Sequence, residues 1–116
     1  MATVRKNITV RAGETFTMNV AAKNSDGTPK DLTAYSGRMQ VRATQPSGDI
    51  LMEATTANGR ITINGPLGTV AVVVPADVTA VMVWGSGVYD LEVFTSTINV
   101  IRLAEGFASL RKEVTR

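Results

Sequence analysis

The chain contains no histidine and no cysteine among its 116 residues. Without cysteine there is no disulfide, no zinc–thiolate centre and no thiol redox chemistry. Small β-domains built for oxidising surroundings often carry a disulfide staple, so synthesis in a reducing cytoplasm is expected. Without histidine, the many Ser and Thr hydroxyls lack the usual base that would activate a nucleophile. Lys6, Lys23, Lys30 and Lys112 fall in turns or terminal polar stretches and read as solvated, not as substitute bases. Aromatics are scarce too: one Trp, two Tyr and three Phe. Valine, isoleucine, leucine, methionine and alanine must therefore fill the core, and neighbouring chains are expected to cover part of what so thin a core leaves exposed.

An excess of one charge is also missing. Twelve Lys and Arg against ten Asp and Glu leave a net charge of +2. The basic residues are scattered (Arg5, Lys6 and Arg11; Arg38 and Arg42; Arg111, Lys112 and Arg116), with no aromatics interleaved for base stacking. Nucleic acid is not an expected partner. No apolar run approaches the ~18 residues of a membrane span. The opening MATVRKN holds no stretch of signal-peptide length. A soluble domain with no membrane contact is expected.

What the chain has in abundance is alternation. Residues 15–22 place Phe16, Met18, Val20 and Ala22 on one side, and residues 38–43 set Met39 and Val41 against Arg38, Gln40 and Arg42. A two-residue period gives each run one core face and one wet face. The pattern begins in a first ribbon over 1–11, with Ile8 and Val10 inward. It continues through 50–54, Ile61 and Ile63, and Val70, Val72 and Val74. In 88–94, Tyr89, Leu91 and Val93 face one way and Asp90, Glu92 and Phe94 the other. Residues 98–105 and 107–112 close the series, with Gly106 between them read as a bulge. Turn-forming clusters separate the runs at 23–31, 45–49 and 65–68, and Asn58 and Gly59 read as a hairpin turn. Only residues 75–82 look helical, with Pro75 suited to the opening position. Many short ribbons joined by tight turns predict one all-β domain over 1–116, an antiparallel sandwich or barrel.

Few groups here carry chemistry. Asp90, Glu92 and Glu105 fall on a wet face beside Arg102, where ion pairing explains them better than acid–base catalysis, which needs a carboxyl raised by burial. Asp26 and Asp31 match no calcium-loop spacing, and turn chemistry accounts for both. Gly85, Ser86 and Gly87 precede a strand and so cradle no phosphate. No enzyme activity, cofactor or metal is expected. The candidates left are contact surfaces: the exposed loop Asp26, Gly27, Thr28, Pro29, Lys30 and Asp31; the apolar run ending in Val83 and Trp84; and the polar termini, with Arg111 and Arg116. Trp84 and its neighbours either plug one end of the fold or present an interface.

The order of these features is familiar: Ile8-Thr9-Val10-Arg11-Ala12-Gly13-Glu14-Thr15-Phe16, Asp26 to Thr33, Asn58-Gly59-Arg60-Ile61, Pro75 to Thr79, Gly87 to Glu92, and Arg102 to Gly106. It resembles small virion proteins of tailed bacteriophages. It is also similar to the N-terminal immunoglobulin-like β-domains of baseplate proteins that hold receptor-binding proteins. The resemblance implies an immunoglobulin-like sandwich with one short helical turn near 75–82, made in the bacterial host cytoplasm and carried in the virion. It implies a non-enzymatic structural component, in the tail or baseplate, connecting fibres or receptor-binding proteins to the tail. Its partners would be other virion proteins and copies of itself. Two other readings stand beside it: a capsid decoration (cement) protein, and a carbohydrate-binding module, which would need an exposed aromatic platform.

Overall fold

A computed structural model describes residues 3–43 and 49–112. Nine strands and one helical turn follow in chain order. They are β1 (Val4–Arg5), β2 (Ile8–Arg11), β3 (Phe16–Ala21), β4 (Ser36–Arg42), β5 (Ile50–Thr55), β6 (Ile61–Asn64), β7 (Thr69–Val74), α1 (Ala76–Thr79), β8 (Ser86–Ser96) and β9 (Asn99–Arg111). One sheet has the order β1-β9-β8-β4-β5, with β2 also on β9; the other is β3-β7-β6. β1 and β2 pair with β9 in parallel, and every other pairing is antiparallel. With β9, β8, β4 and β5 facing β3, β7 and β6, this is the strand arrangement of an immunoglobulin-like sandwich.

Alternation decides which face each strand buries. Met39 and Val41 of β4, Leu91 and Val93 of β8, and Val70, Val72 and Val74 of β7 are all fully buried. They meet between the layers with Met18, Met52, Ile61 and Ala104. Phe16 and Tyr89 are the aromatics buried in this core, so aliphatic packing holds the sheets together. The helical turn is shorter than 75–82, and Pro75 stands at its N-cap. Buried Thr79 pins it to the β2–β3 turn: its hydroxyl donates to the Glu14 carbonyl at 2.8 Å and accepts the Gly13 N–H at 3.1 Å.

Three sequence expectations are corrected. Residues 98–105 and 107–112 are one strand, and the bulge lies at Leu103, because pairing passes from Glu92↔Arg102 directly to Leu91↔Ala104. Leu103 and Ala104 are therefore both buried, and the inward set changes parity between them. Gly106 serves close approach instead. A Cβ there would lie 2.3 Å from the Lys6 carbonyl oxygen, which crosses over β9 at that point. That crossing divides the single ribbon expected over 1–11 into β1 and β2. It is fixed by the Tyr89 hydroxyl donating to the Lys6 carbonyl at 2.5 Å and by the Phe107 N–H donating to Asn7 Oδ1 at 3.1 Å. Finally, Asn58 and Gly59 do not close a hairpin, because β5 and β6 belong to different sheets. Gly59, at φ +79°, turns a corner between layers. Asn58 wires that corner by accepting the N–H groups of Thr55 and Arg60 at 2.9 and 3.1 Å. Of the turn expected at 45–49, only Asp49 lies within the described residues.

Candidate functional site

The charged side chains gather on the outer face of the larger sheet. Alternation points Asp90 and Glu92 of β8 outward, and β9 brings Arg102 and Glu105 beside them. Arg102 reaches Asp90 at 3.4 Å, Glu105 at 3.5 Å and Glu92 at 3.8 Å. Arg38 from β4 holds Glu92 at 2.8 Å, and Arg5 from β1 holds Glu105 at 3.0 Å. Farther along the face, the Gln40 amide donates to Glu53 at 2.6 Å and accepts from Arg42. Burial, followed by the charge of Glu92, raises the Asp90 carboxyl above the ordinary aspartate value. The arrangement is a chain of ion pairs spanning neighbouring strands, with each carboxylate facing a guanidinium or an amide. Among the described residues, no group of three or more His, Cys, Asp or Glu is arranged to hold a metal ion.

The 26–31 loop is wired to itself. The Asp26 carboxylate accepts the Thr28 hydroxyl and N–H at 2.6 and 3.0 Å, and Asp31 accepts the same two groups of Thr33 at 2.5 and 2.9 Å. These bonds hold both carboxyls below the ordinary aspartate value. Asn24 ties the base of the loop by donating to the Thr28 hydroxyl and the Pro29 carbonyl, each at 3.2 Å. Asp26, Gly27, Thr28, Pro29 and Asp31 are exposed, and Lys30 is half-buried. The loop lies at the end of the sandwich where β8 finishes and β9 begins. There Lys23, Asn24, Ser25 and Lys30 share a shallow recess with Val100, Ile101 and Arg102.

Val83 and Trp84 sit at the opposite end, just before β8 begins. Val78, Met82 and Trp84 pack against the core, which is the plugging role. Val81 and Val83 face solvent at 77% and 84% exposure. Together they form one wall of an apolar groove of about 660 Å³, whose other wall is Ile50, Leu51 and Met52 of β5. Glu53 and Arg60 stand at the same groove, and the Arg60 guanidinium donates to the Glu53 carbonyl at 2.9 Å. The Val83 wall is visible in the sequence as an apolar run. The β5 wall is not, because nothing local ties Ile50 to Val81.

The loop and the groove are thus held apart by the length of β8, and the chain does not assemble its sequence candidates into one site. Arg111 ends β9, exposed and in register with Arg11. Arg116 lies outside the described residues. Exposed apolar side chains outside the sequence candidates include Ile98, 94% exposed at the tip of the β8–β9 hairpin, and Phe107, 67% exposed on the outer face. No helix among the described residues is long and apolar enough to cross a membrane.

No family model matches the chain, and no curated protein matches it in sequence. Among solved structures it is similar to the N-terminal domain of phage TP901-1 ORF48, with a TM-score of 0.52 at 12% identity. The match covers 92% of this chain and 86% of that one, so the likeness is one of the whole fold.

Proposed function

We propose that this chain is a non-enzymatic structural component of a bacteriophage virion, a tail or baseplate protein that connects fibres or receptor-binding proteins to the tail. The observation that carries the reading is the fold it shares, nearly end to end, with the N-terminal domain of phage TP901-1 ORF48. The distribution of its chemistry supports the same reading. Asp90, Glu92 and Glu105 are spent on cross-strand ion pairs, and Asp26 and Asp31 on turn hydrogen bonds. Exposed Ile98 lies at one end of a body 46 Å long, and exposed Val81 and Val83 lie at the other. A rigid sandwich of this kind acts by holding neighbours at a fixed distance and angle. Its partners in this reading are other virion proteins and further copies of itself.

Quantitative mass spectrometry of gradient-purified particles, compared with separated heads and tails, tests the reading. The chain is expected in the tail fraction at the copy number of a tail component. Recovery with heads, at a ratio tied to the major capsid subunit, would make it a decoration protein. Absence from every particle fraction would remove it from the virion.

A further inference from the structure

The two ends of the sandwich carry apolar features of opposite shape. At one end, Ser96 pairs with Asn99 across a two-residue turn, which leaves Ile98 94% exposed at its apex. Such apices favour Gly, Asn, Asp and Ser, whose conformations and hydrogen bonds suit the turn. A β-branched apolar side chain breaks that local rule, and broken local rules gather at functional positions. The apex is also braced: Asn99 Nδ2 donates to the Thr95 hydroxyl at 2.7 Å, and the Ile98 N–H donates to Ser96 Oγ at 3.3 Å. Ile98 is a preformed knob. At the other end lies the open apolar groove between Ile50 and Val83, about 660 Å³ in volume.

The charges fit as well. No residue from Thr95 to Asn99 is charged, so seating the apex strips water from no ion on that side. On the groove side, the Glu53 carboxylate already accepts from Gln40 and Arg60 donates to the Glu53 carbonyl, so the apex seats against the apolar wall of Ile50, Val81 and Val83 and leaves the Arg60 guanidinium in water. Open-edge pairing does not compete here. The bulge opposite Val41 and Arg42, and the Asn58 and Arg60 side chains on the Thr55 N–H and Glu53 carbonyl, interrupt the outer edge of β5.

We infer that copies of this chain associate head to tail, the Ile98 apex of one copy seated in the Ile50–Val83 groove of the next. The contact is heterologous: each copy keeps one free knob and one free groove, so association continues into a ring or a row. This deepens the reading of the chain as an assembly component and rests on it.

Sedimentation velocity of the purified chain over a concentration series provides the test. The parent chain is expected to form species larger than dimers as concentration rises. Ile98→Asp and Val83→Asp alter exposed side chains, so both fold, and each alone is expected to stay monomeric. Mixed in equal amounts, they are expected to give a heterodimer that grows no further, because one supplies the intact knob and the other the intact groove. Ile98→Ala should weaken association by about tenfold. Undiminished association of Ile98→Asp overturns the inference, and so does a mixture that stays monomeric. Dimers formed by Ile98→Asp but not by Val83→Asp would mean groove-to-groove contact and overturn it too. A parent chain that is monomeric at every concentration, yet present in purified tails, would overturn this inference alone and leave the structural role standing.

Discussion

Gly106→Ala is a methyl-sized test of how the N-terminal ribbon is held. The glycine has no left-handed φ, so alanine meets no backbone penalty of its own, and any cost comes from contact. The added Cβ would sit 2.3 Å from the Lys6 carbonyl oxygen, 2.8 Å from its carbon and 3.2 Å from Asn7 Oδ1. The first two are backbone atoms, so the crossing from β1 to β2 must lift. Lifting it breaks the bond from Tyr89 to Lys6 at 2.5 Å and the bond from Phe107 to Asn7 at 3.1 Å, and strains the bond from the Lys6 N–H to Glu105 at 3.0 Å. Each neutral bond is worth roughly 0.5–1.5 kcal/mol net, and an abandoned buried group costs somewhat more. Against this, alanine stiffens the unfolded chain and returns about 0.4–1 kcal/mol. The expected net loss is roughly 2–4 kcal/mol, a large part of the 5–15 kcal/mol typical of a domain. Urea unfolding measures it. The decisive comparison is with Tyr89→Phe, which should cost about 1 kcal/mol in the parent and nearly nothing in Gly106→Ala, where the acceptor has already moved. A Gly106→Ala variant within about 0.5 kcal/mol of the parent, or strict additivity of the two changes, would refute the reasoning.

Thr79→Val keeps the shape of a buried side chain but removes the hydroxyl joining α1 to Gly13 and Glu14. It should cost about 2 kcal/mol in the same assay, because the part-buried Gly13 N–H and Glu14 carbonyl each lose that partner. Arg102→Met removes the shared cation of Asp90, Glu92 and Glu105. Since Arg102 is 45% exposed, the loss should not exceed about 1 kcal/mol at neutral pH, and it should shrink in melts as salt is added. At Asp90, burial first, then Glu92, raises the carboxyl in the folded chain, so its neutral form favours folding. That contribution is full below the ordinary aspartate value and is lost as pH rises through the raised one, so Asp90→Asn should melt like the parent at low pH and gain on it as pH rises. Tyr89 obeys the same rule at the alkaline end. Burial and then Glu105 raise its phenol above 10, so stability should fall as pH passes that point, by an amount that Tyr89→Phe removes.

Much of the fold was legible because each strand buries one face. The period of two in β3, β4, β7 and β8 names nearly every inward side chain, from Phe16 and Met18 to Leu91 and Val93. The errors arose where long-range pairing, not local pattern, sets the outcome. Leu103 next to Ala104 is a phase change that the sequence displays, two consecutive inward residues in Ile101-Arg102-Leu103-Ala104, yet Gly106 was the more conspicuous mark of a bulge. What Gly106 accommodates is the crossing between β1 and β2 about a hundred residues earlier, which no local rule connects to it. Asn58 and Gly59 have hairpin chemistry, but β7 claims β6 and β4 claims β5, so the same turn becomes a corner between layers.

The candidate surfaces divide in the same way. The 26–31 loop and its Asx-type bonds follow from Asp, Gly, Thr and Pro in close succession, and the ion pairs of Asp90, Glu92 and Arg102 follow from strand alternation. The groove does not follow, because Ile50 and Val83 meet only after β4, β5 and β8 have taken their places in one sheet. Ile98 was hidden for the opposite reason: a single isoleucine beside polar residues looks like a strand beginning until the hairpin register puts it at the apex.

The central claim is that this sandwich is a structural part of a phage tail. A cryo-electron microscopy reconstruction of the particle encoded with it tests that claim most directly. The account predicts density at the tail or baseplate into which the two sheets, with β1 and β2 on one edge of β9, fit as a rigid body. The same body found on the capsid lattice, or in no part of the particle, would contradict it.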